Sequence, residues 1–211
     1  MSAKPTVFVV DDDRDVREFL KWLLESINVS VETFDSADTF LKAYRVGSPG
    51  CLVLDVRMPG MSGVRLLEHL HEDGSRIPVI LLTAHGDIQM AVHAMQIGAF
   101  DFFEKPFLGQ RMLDRIQDAL RWEEENRRTH AERDAIAAQL RHLTPREREV
   151  LERLVNGKPV KAIAIELAIS NKTVETYRAR IFEKMGTNSL AKLVRMTLLA
   201  RDWSSGSTAS R

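Results

Sequence analysis

The chain has 211 residues, 44% of them hydrophobic and 28% charged, and its 30 basic and 30 acidic side chains sum to a formal net charge of zero. That length suits one large or two small domains, and the zero sum says nothing about partners until its distribution is read. A single cysteine excludes an internal disulfide. No apolar run reaches the roughly 18 residues of a spanning helix, and Met1-Ser2-Ala3-Lys4-Pro5 lacks the apolar core of a signal, so a soluble cytoplasmic protein with no membrane partner is expected.

The first element is Thr6-Val7-Phe8-Val9-Val10, an unbroken apolar run of strand length that implies cover on both faces, and it closes on Asp11-Asp12-Asp13. Arg14 to Ile27 carries Val16, Phe19, Leu20, Leu23, Leu24 and Ile27 at helical spacing. Residues 29–34 alternate like a strand, and 36–46 predict a helix capped by Ser36 or Asp35. Cys51-Leu52-Val53-Leu54-Asp55 is a second buried-type strand, closed by a carboxylate before turn-forming Met58-Pro59-Gly60. Its Cys51 reads as a packed thiol rather than a reactive one. A helix over 63–71 leads to Pro78–Ala84, a strand ending in the hydroxyl of Thr83. Residues 87–97 predict another helix. Residues 99–106 hold a short strand that ends in Lys105 before Pro106, and a fifth helix starts near Leu108 and runs to Leu120.

Five strands alternating with five helices predict an α/β domain over 1–120: a doubly wound, five-stranded parallel sheet, most simply in the order 2-1-3-4-5. In such sheets ligands bind where loops leave the carboxyl ends of the strands. Asp11, Asp12 and Asp55 then converge on one crevice. Clustered carboxylates repel, so the crevice should take a hard divalent cation or keep one member protonated.

With Asp11/Asp12, Asp55 and Met58-Pro59-Gly60, Thr83-Ala84 and Lys105-Pro106 in this order, residues 5–120 resemble a response-regulator receiver domain. The resemblance implies that Asp55 is a phosphoacceptor served by a partner sensor histidine kinase. It further implies that Mg²⁺ or Mn²⁺ is held by Asp12, Asp55 and the backbone carbonyl of Arg57, with Asp11 acting through water. Lys105 and Thr83 would contact the phosphoryl oxygens, Phe102 would be the rotating switch aromatic, and the Lys105-Pro106 peptide would be cis. Such a protein is no enzyme beyond its own phosphorylation and dephosphorylation. The residue types suit phosphoryl transfer, because a carboxylate serves as nucleophile and fixed cations stabilise a group whose charge spreads over its outer oxygens. His85, near the acceptor, is a candidate for tuning phosphoryl lifetime. His69 and His71, two apart, fall on different helix faces and read as solvated.

Residues 121–142 contain no Pro or Gly and are rich in Glu, Arg and Ala, which predicts that the fifth helix continues as a linker helix, a charged flexible linker being the alternative. Beyond it, residues 144–211 hold 13 Lys and Arg against 7 Asp and Glu. That surplus of about +6 leaves about −6 on the preceding residues, so the last part is the one expected to meet a polyanion. Thr144-Pro145-Arg146-Glu147 spells a capping box with proline at the first helical position, and Gly157 stops the helix. Helices follow over 160–167, 173–185, with Ser170 as its cap, and 189–200.

Leu143-Thr144-Pro145-Arg146-Glu147, Val150-Leu151, Gly157, Ile163-Ala164, Leu167, Ile169-Ser170, Thr173-Val174, Ile181 and Lys184-Met185 make residues 143–203 similar to the all-α four-helix helix-turn-helix of the LuxR/NarL/FixJ transcription factors. The whole chain then resembles a FixJ-like regulator, with 204–211 as a disordered tail. Two positions depart from the common pattern: Glu175 where a base is usual, and Tyr177 where His is common. Val174, Tyr177, Ile181 and Met185 share the predicted inner face of the third helix. Glu175, Thr176, Ala179 and Arg180 then lie opposite, with Arg178 at the boundary, as candidates for reading a major groove. Lys161, Lys172 and Thr173 are placed for phosphates. Leu190, Leu193, Val194 and Leu198 give the last helix an apolar face for a second copy, so a homodimer on double-stranded promoter DNA with an inverted repeat is expected. Two other readings stay open: an aspartyl-phosphate phosphatase with Asp11 as nucleophile, which leaves Asp55, Lys105 and the helix-turn-helix without a common purpose, and a last domain that docks protein instead of DNA.

Overall fold

The computed structural model describes residues 4–84 and 88–206, so His85 lies outside the described residues. The chain forms two compact units, Met1–Asn126 and Arg127–Arg211.

The first unit alternates β1 (Thr6–Val10), α1 (Arg14–Glu25), β2 (Ser30–Phe34), α2 (Ala37–Ala43), β3 (Gly50–Asp55), α3 (Gly63–Glu72), β4 (Val79–Thr83), α4 (Ile88–Gln96), β5 (Asp101–Glu104) and the beginning of α5 (Gly109–Arg141). All strand pairs are parallel and the order is β2-β1-β3-β4-β5, as the alternation predicts. Position in the sheet explains the strand sequences. Every residue of β3 and β4 is buried, because helices cover both faces, whereas the edge strands β2 and β5 are only partly covered. Phe8, Val10, Leu52, Leu54 and Leu81 pack on one face with Phe40 and Leu66, while Val7, Val9, Val53, Ile80 and Leu82 pack on the other with Leu20, Met112 and Ile116. Each such side chain taken from water contributes about 1.5–3 kcal/mol. The helical stripe of α1 is narrower than its sequence suggests: Leu20 and Leu24 are fully buried, but Phe19 is 40% and Ile27 37% exposed.

Register sets the site. Val10 lies beside Leu54 and Asp55 beside Leu82, so the chain leaves β1, β3 and β4 at nearly one level. Gly63, first in α3, is required there by close approach: a Cβ on it would lie 2.2 Å from the Asp55 carbonyl oxygen.

The second unit contains the end of α5, then α6 (Pro145–Val155), α7 (Val160–Leu167), α8 (Asn171–Lys184) and α9 (Leu190–Gly206). The capping box at α6 is complete: Thr144 Oγ1 accepts from the Glu147 amide and Glu147 Oε2 accepts from the Thr144 amide. The core gathers Val150, Leu151, Leu154, Ile163, Val174, Ile181, Met185 and Leu193, and it also takes in Ile136 and Leu143, with Leu140 against it. A boundary at 143 would therefore cut through this core, because Ile136 and Leu140, one turn apart near the end of α5, pack in it with Leu143. Ser170 caps α8 as predicted, though the helix begins at Asn171 rather than Thr173. Helix α9 continues to Gly206, through residues 204–206 of the stretch expected to be a tail; residues 207–211 lie outside the described residues.

Candidate functional site

At the carboxyl edge of the sheet, Asp11, Asp12 and Asp55 each offer an oxygen within 4.8 Å of the others. Asp11 is fully buried and Asp55 nearly so, whereas Asp12 is exposed. Lys105 arrives from the end of β5, and its ammonium donates to Asp11 Oδ2 at 2.7 Å and to Asp55 Oδ1 at 2.6 Å. The second oxygens are also held: the Asp13 amide donates to Asp11 Oδ1 at 2.9 Å and the Arg57 amide to Asp55 Oδ2 at 2.8 Å. The Lys105 amide donates to the Thr83 carbonyl at 2.7 Å, and the Lys105-Pro106 peptide is cis. Thr83 is buried one residue beyond the position that pairs with Asp55. The predicted convergence of the strand ends is thus present.

Among the described residues the charge balance is uneven: the cluster has three carboxylates, and one ammonium, that of Lys105, bonds two of them. Burial pushes the Asp11 carboxyl above its ordinary value, against the bonds from Lys105 and the Asp13 amide that pull it down. Burial alone would lower Lys105, but its bonds to Asp11 and Asp55 outweigh it and the ammonium is held above its ordinary value. The donors are all hard oxygens and their negative charge exceeds the positive charge at hand, so the residues fit Mg²⁺ or Mn²⁺ and not a soft metal.

Phe102 is 41% exposed on β5 and lies outside the buried core. A residue that the sequence pattern does not single out also touches the site. Arg17 on α1 donates from one nitrogen to the carbonyl oxygens of Asp11, at 2.6 Å, and Asp12, at 2.9 Å. Its only signal in the sequence is a base on α1 a few residues after an acidic triplet.

In the second unit, α8 buries Val174 and Ile181 and half-buries Tyr177. Lys172, Glu175, Thr176, Ala179 and Arg180 line the other side of the helix, all of them exposed, and Lys161 lies exposed on α7. Thr173 is half-buried, its hydroxyl 2.8 Å from that of Ser170, and the Thr176 hydroxyl donates back to the Lys172 carbonyl. Arg178 is half-buried as its boundary position implies, lying 5.4 Å over the Phe182 ring and 3.5 Å from Glu175 Oε2. On α9, Leu190 and Leu198 are 40% and 54% exposed and Val194 is half-buried. Leu193 departs from the expected apolar outer face. It is fully buried in its own domain's core, because it lies off the 190-194-198 row and on the side of Met196.

Comparison with known proteins assigns a family to each part of the chain. Residues 7–117 match the response regulator receiver domain, and residues 141–197 match the luxR family of bacterial regulatory proteins. The chain belongs to the response regulators that join a receiver to a LuxR-type helix-turn-helix. Within them it is of the FixJ type: it is 44% identical over 200 residues to the transcriptional regulatory protein FixJ of Bradyrhizobium diazoefficiens, covering 95% of this chain and 98% of that one. It is likewise 44% identical over 193 residues to the transcriptional regulatory protein TdiR of Thauera aromatica, covering 92% and 85% of the two chains. The solved structure of the response regulator StyR superposes with a TM-score of 0.85 at 48% identity, over 92% of this chain and 98% of the other.

Proposed function

We propose that this protein is a two-component transcription regulator in which Asp55 takes a phosphoryl group from a sensor histidine kinase and the modified chain binds promoter DNA as a dimer. One observation carries the reading: a single ammonium, Lys105, bridges the acceptor Asp55 and the buried Asp11 at the mouth of a three-carboxylate cluster. An Asp55 oxygen attacks phosphorus, the bond from phosphorus to the donor's histidine nitrogen breaks, and the leaving imidazole keeps its electron pair and is protonated. Lys105 stays beside the site as a point charge for one phosphoryl oxygen, and the Thr83 hydroxyl hydrogen-bonds another. Asp12, Asp55 and the Arg57 carbonyl would hold Mg²⁺ or Mn²⁺ directly and Asp11 through water. When bound, the ion neutralises the acids and the developing phosphoryl charge.

The added negative charge draws Thr83 and Lys105 inward and favours the state with Phe102 rotated from its exposed position, a shift in population rather than a new fold. Two receivers then pair, and pairing raises the effective concentration of two α8 helices over a two-fold site. Arg180, Glu175 and Ala179 face the bases. Thr176 joins them chiefly as an acceptor, since its proton is already given to Lys172. Lys161, Lys172 and Thr173 meet phosphates, and Leu190, Val194 and Leu198, without Leu193, form the contact between the two DNA-binding domains. Incubation with a small acyl phosphate and Mg²⁺ tests the first step. The expected result is a base-labile phosphate on the wild type and none on Asp55→Asn; a label that persists in the variant moves the acceptor elsewhere.

A further inference from the structure

Strand β1 ends at Val10, so the carbonyls of Asp11 and Asp12 lie past its ladder with β2 and β3 and need donors from elsewhere. Arg17 supplies both from one nitrogen, at 2.6 and 2.9 Å. It stands one turn inside α1, where long side chains lean back toward the helix amino terminus, and Asp13 caps that same terminus. Helix α1 therefore grips the loop at the two residues whose carboxylates enter the cluster. The three carboxylates are not held alike. Asp11 is fixed by Lys105 and the Asp13 amide, and Asp55 by Lys105 and the Arg57 amide. No described residue donates to the Asp12 carboxylate, so its direction follows from its backbone, and that backbone is tied to Arg17.

We infer that Arg17 is a positioning residue for divalent-cation binding, holding the β1–α1 loop so that the Asp12 carboxylate meets those of Asp11 and Asp55. The inference rests on the reading of these three acids as a cation site. Removing the guanidinium frees the loop, and Asp12 loses its preset direction while Asp11 and Asp55 keep theirs. The cost falls on metal affinity rather than on the transfer step.

Titration of the full chain with Mn²⁺, followed by electron paramagnetic resonance without any phosphodonor, tests this. Arg17→Met should weaken Mn²⁺ binding by about ten- to a hundredfold, the range for outer partners of metal ligands. Arg17→Lys, whose one nitrogen can serve both carbonyls, should recover most of the loss. In the Asp12→Asn background Arg17→Met should add little, because the residue acts through Asp12. Labelling by acyl phosphate should need more Mn²⁺ in Arg17→Met yet reach the wild-type rate at saturation. A cooperative melt of the metal-free protein checks folding; should Arg17→Met fail it, Arg17→Gln, which stops short of both carbonyls, takes its place. Wild-type affinity in the variant, or an equal loss in the Asp12→Asn background, overturns the inference while leaving the acceptor site standing. A wild-type chain that neither binds Mn²⁺ nor accepts a label overturns the reading beneath it.

Discussion

Each unit of the molecule buries a carboxylate against a lysine, and the two are tuned in opposite directions. In the receiver, Asp11 shares Lys105 with Asp55, and burial pushes its carboxyl up. In the DNA-binding unit, Glu147 is 2% exposed and has Lys184 at 2.6 Å. Burial opposes its ionisation too, but the Lys184 ammonium and the Thr144 capping bonds prevail and hold the carboxyl below its ordinary value. The second cluster is complete in itself, one acid matched by one base and an amide. The first has more acid than base. The contrast separates a structural pair from a functional one: charge left unbalanced in a buried place is a place made for an arriving ion or group.

The largest expected effects break the first cluster. Asp55→Asn should reduce labelling from a small acyl phosphate to background. Lys105→Met removes the cation that Asp11 and Asp55 share and should slow labelling by about a hundredfold or more, read from the initial rate at saturating Mg²⁺. An unchanged rate would mean that the bridge is structural only.

Smaller effects sharpen the contrast. Glu147→Gln should destabilise the chain by about 1–3 kcal/mol, read as a fall in the denaturant midpoint, without changing acceptance of phosphate. The pH dependences should oppose each other. Asp11, raised in the folded state, contributes stability at pH below its unfolded value of about 3.8, and that contribution is lost as pH rises through the higher folded value. Glu147, lowered in the folded state, contributes stability above its unfolded value of about 4.5, and that contribution is lost as pH falls through the folded value. Denaturant melts of metal-free protein between about pH 3 and 7 should therefore lose the first slope in Asp11→Asn and the second in Glu147→Gln. Matching slopes in the two variants would erase the distinction.

The smallest changes concern the DNA face. Arg180→Ala should cost about 1–3 kcal/mol of binding to a selected duplex and relax preference at one base pair. Arg178→Ala should cost less in direct readout, because that side chain lies over Phe182 and beside Glu175.

The pocket is legible in the sequence because its parts sit at strand ends, where an apolar run stops on a polar residue. Period alone puts Asp11, Asp55, Thr83 and Lys105 on one edge of the sheet. Arg17 is not legible this way. It acts through backbone carbonyls from inside a helix whose pattern is dominated by its apolar neighbours. Leu193 fails for the reverse reason, since four apolar residues on one helix do not say which row faces the core until Met196 and Met185 are seen beside it. The end of α5 likewise reads as linker because Ile136 and Leu140 look sparse in the sequence, although they close the second core.

The central claim is that charge placed on Asp55 governs pairing on DNA. It is tested most directly by titrating a selected inverted-repeat duplex with the full chain, before and after treatment with acyl phosphate and Mg²⁺, alongside Asp55→Asn. Tighter and more cooperative binding is predicted for the treated wild type, with no change in the variant. The same gain in both proteins, or none in a wild type shown to carry the phosphate, would contradict it.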